Sequence, residues 1–208
     1  MTPFLIPGLP LPRAFYEQPT VDAARALLGH TLVRRLPGGN ILAGIVVETE
    51  AYGADDPALW AYQSPTPRNG VMFGPPGHAY LYAAYRVHLM LNIVCAPPGT
   101  AQSILIRAIQ PTEGLPQMRV HRGNVPDERQ LTNGPGKLSA ALGLSVAEFN
   151  GVDMTDPHSP LQIVARDHSP LEIVATTRIG LTRGADLPWR FGVHGSAYVS
   201  RLAPRAAF

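Results

Sequence analysis

A chain of 208 residues, 45% hydrophobic and 15% charged, is long enough to bury a core of its own and suits one domain. Its net charge of +2, from 17 Lys plus Arg against 15 Asp plus Glu, excludes a polybasic coat, and its one cysteine, Cys95, excludes an intramolecular disulfide and any multi-cysteine zinc site. No metal and no cofactor is expected, a reducing cytoplasmic compartment is allowed, and no apolar run approaches the ~18 uninterrupted residues of a membrane span. The cations are nearly all arginine, Lys137 being the only lysine, and a planar guanidinium grips phosphate better than an ammonium does.

Residues 1–12 are apolar but broken by Pro3, Pro7, Pro10 and Pro12, with no basic segment and no cleavage site. Residues 1–19 therefore read as an extended arm and not as a signal peptide. Thr20 to Leu28, closed by Gly29, has the look of a capped helix ended by a C′ glycine. Thr31 to Leu36 and Ile41 to Tyr52 flank the turn Pro37-Gly38-Gly39-Asn40 and are expected to pair as a hairpin. On its second arm, strand alternation puts Glu48, Glu50 and Tyr52 on one face and Val47, Thr49 and Ala51 on the other. Two acids and a phenol looking the same way suit either a solvated polar face or a cleft.

From Gly53 to Pro67 there is no periodicity, so the segment is a loop, and it carries Trp60 and Tyr62. The turn residues from Met72 to His78 lead into Ala79 to Tyr85. Here Tyr80 and Tyr82 share a face, and Tyr85 falls at a hairpin tip before Arg86. The return arm, His88 to Cys95, holds Asn92 in the apolar run Leu89 to Val94, where an amide needs partners or a cleft. Ser103 to Ile109 is another strand with Arg107 as its one charge, and the simplest role for Arg107 is an ion pair with a carboxylate such as Glu50. Thr112 to Arg122 reads as a helix, and Lys137 to Leu144 as another that glycines open, so that its amides could seat a phosphate. Gly134-Pro135-Gly136-Lys137 is no P-loop, because Leu138 stands where Ser or Thr is needed. Ser159 to Ala165 recurs almost verbatim as Ser169 to Ala175, which suggests one hairpin with like arms.

Glu48-Thr49-Glu50-Ala51-Tyr52, Thr66-Pro67-Arg68-Asn69, Met72 to Tyr82, the Tyr85 to Asn92 interval, Ile104 to Pro111, Asn133 to Leu138, Arg178-Ile179-Gly180 and Trp189-Arg190-Phe191 together resemble, in order and spacing, the alkyladenine (3-methyladenine) DNA glycosylase family. The resemblance spans nearly the whole chain beyond its first twenty residues. It implies a single α+β domain, mainly antiparallel β-sheet with a few helices and a protruding β-hairpin.

It also implies a monofunctional enzyme of base excision repair that flips alkylated or deaminated purines out of duplex DNA and hydrolyses the N-glycosidic bond. By the same resemblance Glu50 is the general base for the attacking water, and Arg107 and the carbonyl of Ile179 complete the water's site. Tyr52 and Tyr82 sandwich the base, Asn92 excludes the guanine amino group, and Tyr85 is the intercalating wedge, with Arg86 and Lys137 as further DNA contacts. Glu48 stands behind Glu50, and an arginine beside Glu50 favours the carboxylate that a base must be. Trp60, in the base pocket, departs from the His usual at that point of the loop. The implied partner is double-stranded DNA with damaged purines, met by a cytoplasmic, nucleoid-associated monomer. Two other readings fit part of the pattern: a glycoside hydrolase using Glu48 and Glu50, and a non-catalytic DNA-bending protein with Tyr85 as its wedge.

Overall fold

The computed structural model describes residues 8–59, 64–84, 87–165 and 170–200. Two short helices come first, α1 (Arg13–Tyr16) and α2 (Thr20–Ala26). The expected arm is thus not extended to residue 19: Leu11 and Tyr16 are buried, and Arg13 is tied to Asp153 at 2.6 Å. Thr20 is the first helical residue and not the cap. Pro19 precedes it, and the Thr20 hydroxyl donates instead to Gln102 Oε1 at 2.8 Å. The chain leaves α2 through Gly29 at φ +87°, a conformation open to glycine at little cost.

Strands β1 (Thr31–Arg35) and β2 (Ile41–Tyr52) form the expected hairpin around Gly38 and Gly39, both at positive φ. A second hairpin, β3 (Ala79–Ala84) and β4 (His88–Val94), follows, then β5 (Ser103–Glu113). Burial falls along β3 and returns along β4, so this hairpin stands out from the body. Its far end, Tyr85 and Arg86, lies outside the described residues, and Val87 beside it is 77% exposed. Helices α3 (Leu115–His121), α4 (Pro135–Ala141) and α5 (Val146–Phe149) precede the short strands β6 (Leu161–Val164), β7 (Ile173–Thr176) and β8 (Arg190–Val193).

Every strand pairing is antiparallel, in the order β3-β4-β5-β2-β1-β6, with β8 added to β2 and β7 to β8. This is the α+β architecture the resemblance implies. Strand β2 is its axis: β5 runs along one edge, and the other edge is shared by β1 near Ile41–Ile45 and by β8 at Glu48–Glu50. One sheet face carries Ala51, Leu81, Leu91, Ile93, Ile104, Ile106 and Phe191 into the main core. Helix α2 packs on that side, where the Thr49 hydroxyl donates to the Ala24 carbonyl at 2.8 Å.

Two expectations fail for reasons of tertiary pairing. The helix placed at Thr112 to Arg122 begins only at Leu115, because β5 keeps pairing with β2 as far as Ala43↔Glu113. Gly114, at φ +74°, then turns the chain, and a Cβ there would lie 2.5 Å from the Ile41 carbonyl oxygen. The like segments Ser159 to Ala165 and Ser169 to Ala175 do not pair with each other. The strand in the first, β6, joins β1 and is wholly buried, whereas β7 joins β8 and is half-exposed. Local pattern makes each a strand, but the free edge nearest to it chooses its partner.

Candidate active site

Directly opposed residues in a sheet share a face. The register therefore sets Glu50 opposite Leu105, Leu105 opposite Asn92 and Asn92 opposite Tyr80, one row across β2, β5, β4 and β3. Glu48, Tyr52 and Tyr82, each two residues from a member of that row, lie on the same side. This is the face away from the main core, and a cavity of about 130 Å³ opens on it. Tyr52, Tyr80, Tyr82, Asn92 and Ser103 line the cavity from the strands, and Ala58, Leu59, Met72 and Leu181 close it from loops. Tyr80 and Tyr82 stack with centroids 5.5 Å apart at 29°, an offset aromatic wall. Asn92 is buried, and its amide donates to the Tyr80 carbonyl at 3.4 Å.

Arg107 reaches the carboxylates because the β2–β5 ladder slips twice, between Val46 and Glu48 and again between Glu48 and Thr49. Ala108 faces Glu48 and Ile106 faces Thr49, which leaves Arg107 as the extra residue of a bulge. A bulge of this kind re-aims one side chain without ending the strand. Its guanidinium bridges the two acids, with Nε donating to Glu48 Oε1 at 2.9 Å and Nη1 lying 3.1 Å from Glu50 Oε1. Burial alone would make the guanidinium easier to deprotonate, but Glu50 and then Glu48 reverse this and hold its proton more tightly than usual.

Glu50 has no exposed surface and also accepts the Ile179 backbone N–H on Oε1 at 2.9 Å. Its Oε2 accepts the Tyr52 hydroxyl at 3.0 Å. Burial, and next the charge of Glu50, push the Tyr52 phenol well above its ordinary range, so it stays a donor. A carboxylate oxygen has two lone pairs, and among the described residues Tyr52 occupies only one on Oε2. Glu50 thus sits directly behind the cavity wall, joined to it through Tyr52.

Besides Arg107, Glu48 accepts Arg190 Nε at 2.7 Å, the Ser200 hydroxyl at 2.8 Å and the Ser200 backbone N–H at 2.7 Å. Arg190 comes from β8 opposite Glu50, and Ser200 is the last described residue.

Three groups here had no assigned role in the sequence. Arg190 and Arg178 were visible only as members of short motifs, and Ser200 gave no signal. Arg178 forms a buried ion pair with Asp56, with Nη2 donating to Oδ1 at 2.8 Å, and it also donates to the carbonyls of Ala51 and Gly184. Its guanidinium lies 4.8 Å from the Tyr52 ring centroid and 5.3 Å from that of Trp189.

Of the residues expected in the site, Glu50, Arg107, Ile179, Tyr52, Tyr82 and Asn92 are brought together. Lys137 is not among them: its Nζ donates to Asn133 Oδ1 at 2.8 Å in a separate, open polar concavity that also includes Arg129 and Gln130. Helix α4, which carries Lys137, packs so closely on β4 that a Cβ at Gly136 would lie 3.1 Å from the His88 side chain. Trp60, Tyr62, Tyr85 and Arg86 lie outside the described residues. Among the described residues, no group of three or more His, Cys, Asp or Glu side chains could hold a metal ion, and no helix is long and apolar enough to cross a membrane.

A family model described as methylpurine-DNA glycosylase matches residues 14–197. Three similar proteins, each provisionally named a 3-methyladenine DNA glycosylase, come from Nitrobacter winogradskyi, Rhodopseudomonas palustris and Methanoculleus marisnigri. The first is 46% identical over 93% of this chain and 88% of its own length. The second is 48% identical over 94% and 90%, and the third 45% over 92% and 98%.

Proposed function

The chain belongs to the methylpurine-DNA glycosylase family, and on that premise we propose that it releases damaged purines by direct attack of a water that Glu50 activates. It is a DNA glycosylase of base excision repair, an enzyme that hydrolyses N-glycosidic bonds. Its finer chemistry is our reading. A base in the duplex is out of reach, so the damaged nucleotide is turned out into the cavity on the far side of Tyr52 from Arg178. The base stacks on Tyr52 and Tyr82, and the Asn92 side chain limits what may stand at its edge.

Water then attacks C1′ from the opposite side of the sugar as the C1′–N bond breaks. The bond's electron pair leaves with the base, and the water's proton passes to the lone pair that Tyr52 leaves open on Glu50 Oε2. Arg107 holds Glu50 in place, and the Ile179 carbonyl accepts the water's other hydrogen. Purines alkylated on a ring nitrogen already carry positive charge and leave readily. Neutral hypoxanthine and 1,N6-ethenoadenine lean more on the enzyme.

The observation that carries this reading is the row Glu50–Leu105–Asn92–Tyr80, which sets one carboxylate beside an aromatic cavity of about 130 Å³. That volume is well below the ~300 Å³ at which pockets for larger ligands begin, and suits one heterocycle. The same geometry argues against a glycoside hydrolase. Such an enzyme needs two carboxylates on either side of a sugar, whereas Glu48 and Glu50 project from one strand and share Arg107. Family membership sets aside the non-catalytic DNA-bending alternative.

We assign Tyr85 as the wedge and Arg86 and Lys137 as backbone contacts on double-stranded DNA. Trp60, in place of the usual His, shapes the range of bases, and the enzyme acts as a cytoplasmic, nucleoid-associated monomer. Lys137 is the chain's one lysine, and its contact with Asn133 leaves it far from the role of a Schiff-base amine.

Duplexes carrying 3-methyladenine, hypoxanthine or 1,N6-ethenoadenine, incubated with the protein and then cut at abasic sites with alkali, test the reading. Strand breaks are expected only after alkali, with no adduct trapped by borohydride. Breakage without alkali, together with a trapped adduct that Lys137→Ala removes, would overturn the water mechanism.

A further inference from the structure

Tyr52 has two ring faces, and the fold has already covered one. Arg178 lies 4.8 Å from its centroid, so only the other face is left for a base in the cavity. The guanidinium is fixed there by Asp56, to which it donates two hydrogen bonds, and by the carbonyls of Ala51 and Gly184. Neither side chain of the ion pair has exposed surface. Burial would loosen the Arg178 proton, but Asp56 more than compensates.

The pair also joins the two loops that close the cavity. Asp56 Oδ1 accepts the Ala58 N–H at 2.9 Å, and its carbonyl accepts the Leu59 N–H at 2.8 Å, while Leu181 lies three residues beyond Arg178. A pair that were only a staple could sit anywhere along these loops. This one sets a guanidinium, itself paired with a carboxylate, against the aromatic ring on which the base stacks.

We propose that the Asp56–Arg178 pair is a specificity-determining element, whose balanced charge behind Tyr52 sets how well cationic purines are accepted relative to neutral ones. The inference rests on the reading that the flipped base stacks on Tyr52. An arginine cannot shed its proton at neutral pH, so removing the carboxylate alone leaves a net positive charge behind the ring. That charge acts through a thin, buried aromatic layer where screening is weak. It disfavours 3-methyladenine, which is cationic, and leaves hypoxanthine, which is neutral, nearly untouched. Asp56 and Arg178 act through Tyr52 and the loops, so they are positioning residues and not catalytic ones.

The test compares single-turnover release of 3-methyladenine and hypoxanthine from the same duplex by the wild type, Asp56→Asn and Asp56→Asn/Arg178→Gln. Asparagine retains the oxygen that accepts the Ala58 N–H, and the double variant restores neutrality. In Asp56→Asn the ratio of 3-methyladenine to hypoxanthine release is expected to fall about tenfold, the scale of one charge acting across a buried ring. In the double variant it should return to within about twofold of the wild type. Loss of packing alone would lower both rates together, most in the double variant, and an unchanged ratio in Asp56→Asn sinks the proposal. If Asp56→Asn does not fold, the double variant decides against the wild type: a neutral pair must keep the wild-type ratio, and a shifted one overturns the idea. A wild type that releases neither base would refute the proposed function instead.

Discussion

Glu48 and Glu50 stand two residues apart on one strand, both without exposed surface and both on Arg107, yet they are opposite kinds of carboxylate. Glu48 faces four donors from three segments of chain: Arg107, Arg190, and the hydroxyl and N–H of Ser200. Glu50 faces Arg107, one backbone N–H and one phenol, and the phenol is itself a wall of the cavity. The first acid ties the sheet to the segment around Ser200, and the second keeps a lone pair in reach of the cavity. Neighbouring acids on one face can therefore divide into a structural and a chemical member, according to which of them is bonded to a wall of the cavity.

The largest expected effect separates them by chemistry. Glu50→Gln keeps the shape but cannot take a proton, and base release per folded molecule should fall by about 10²- to 10⁴-fold. Single-turnover assays beside a thermal melt check this, and turnover near that of the wild type would remove Glu50 from the role of base. Next comes Glu48→Gln, which takes a negative charge away from the buried guanidiniums of Arg107 and Arg190. Urea unfolding should register a loss of about 3 to 5 kcal/mol, the usual consequence of breaking a buried charge cluster. Base release per folded molecule should fall far less than in Glu50→Gln; if it falls further, the two assignments are exchanged. The smallest effect belongs to Ser200→Ala, which deletes one hydroxyl and leaves the Ser200 N–H on Glu48. About 1.5 to 3 kcal/mol of stability is expected to go, as for a hydrogen bond to a charged group, and the preference between cationic and neutral bases should stay as it is. A shift in that preference would mean that Glu48, and not the Asp56–Arg178 pair, governs selectivity.

A second contrast lies in how the site residues were made legible. Alternation along Ile45 to Tyr52 put Glu48, Glu50 and Tyr52 on one face, and the sheet keeps them there because the period of a strand is fixed by its backbone. The same rule placed Tyr80 with Tyr82, and an amide alone in an apolar run marked Asn92 as needing a cleft. Short-range signals failed where partners are distant. Nothing near Arg178 names Asp56, 122 residues away, and nothing near Ser200 names Glu48, 152 away. The near-identical segments carrying β6 and β7 joined different strands, since sequence sets the propensity to be extended and not the edge that is free.

What the sequence alone determined, then, is local and periodic: which stretches are strands, which side chains share a face, where glycine must turn the chain, and that a single cysteine rules out an intramolecular disulfide. The tertiary structure decided the rest. It placed β8 against β2 at Glu48–Glu50, bulged β5 so that Arg107 bridges both acids, and backed Tyr52 with Arg178. These are contacts between residues far apart in the chain. They exist only once the sheet has closed, because a charge can be buried stably only where the fold has already brought its partner.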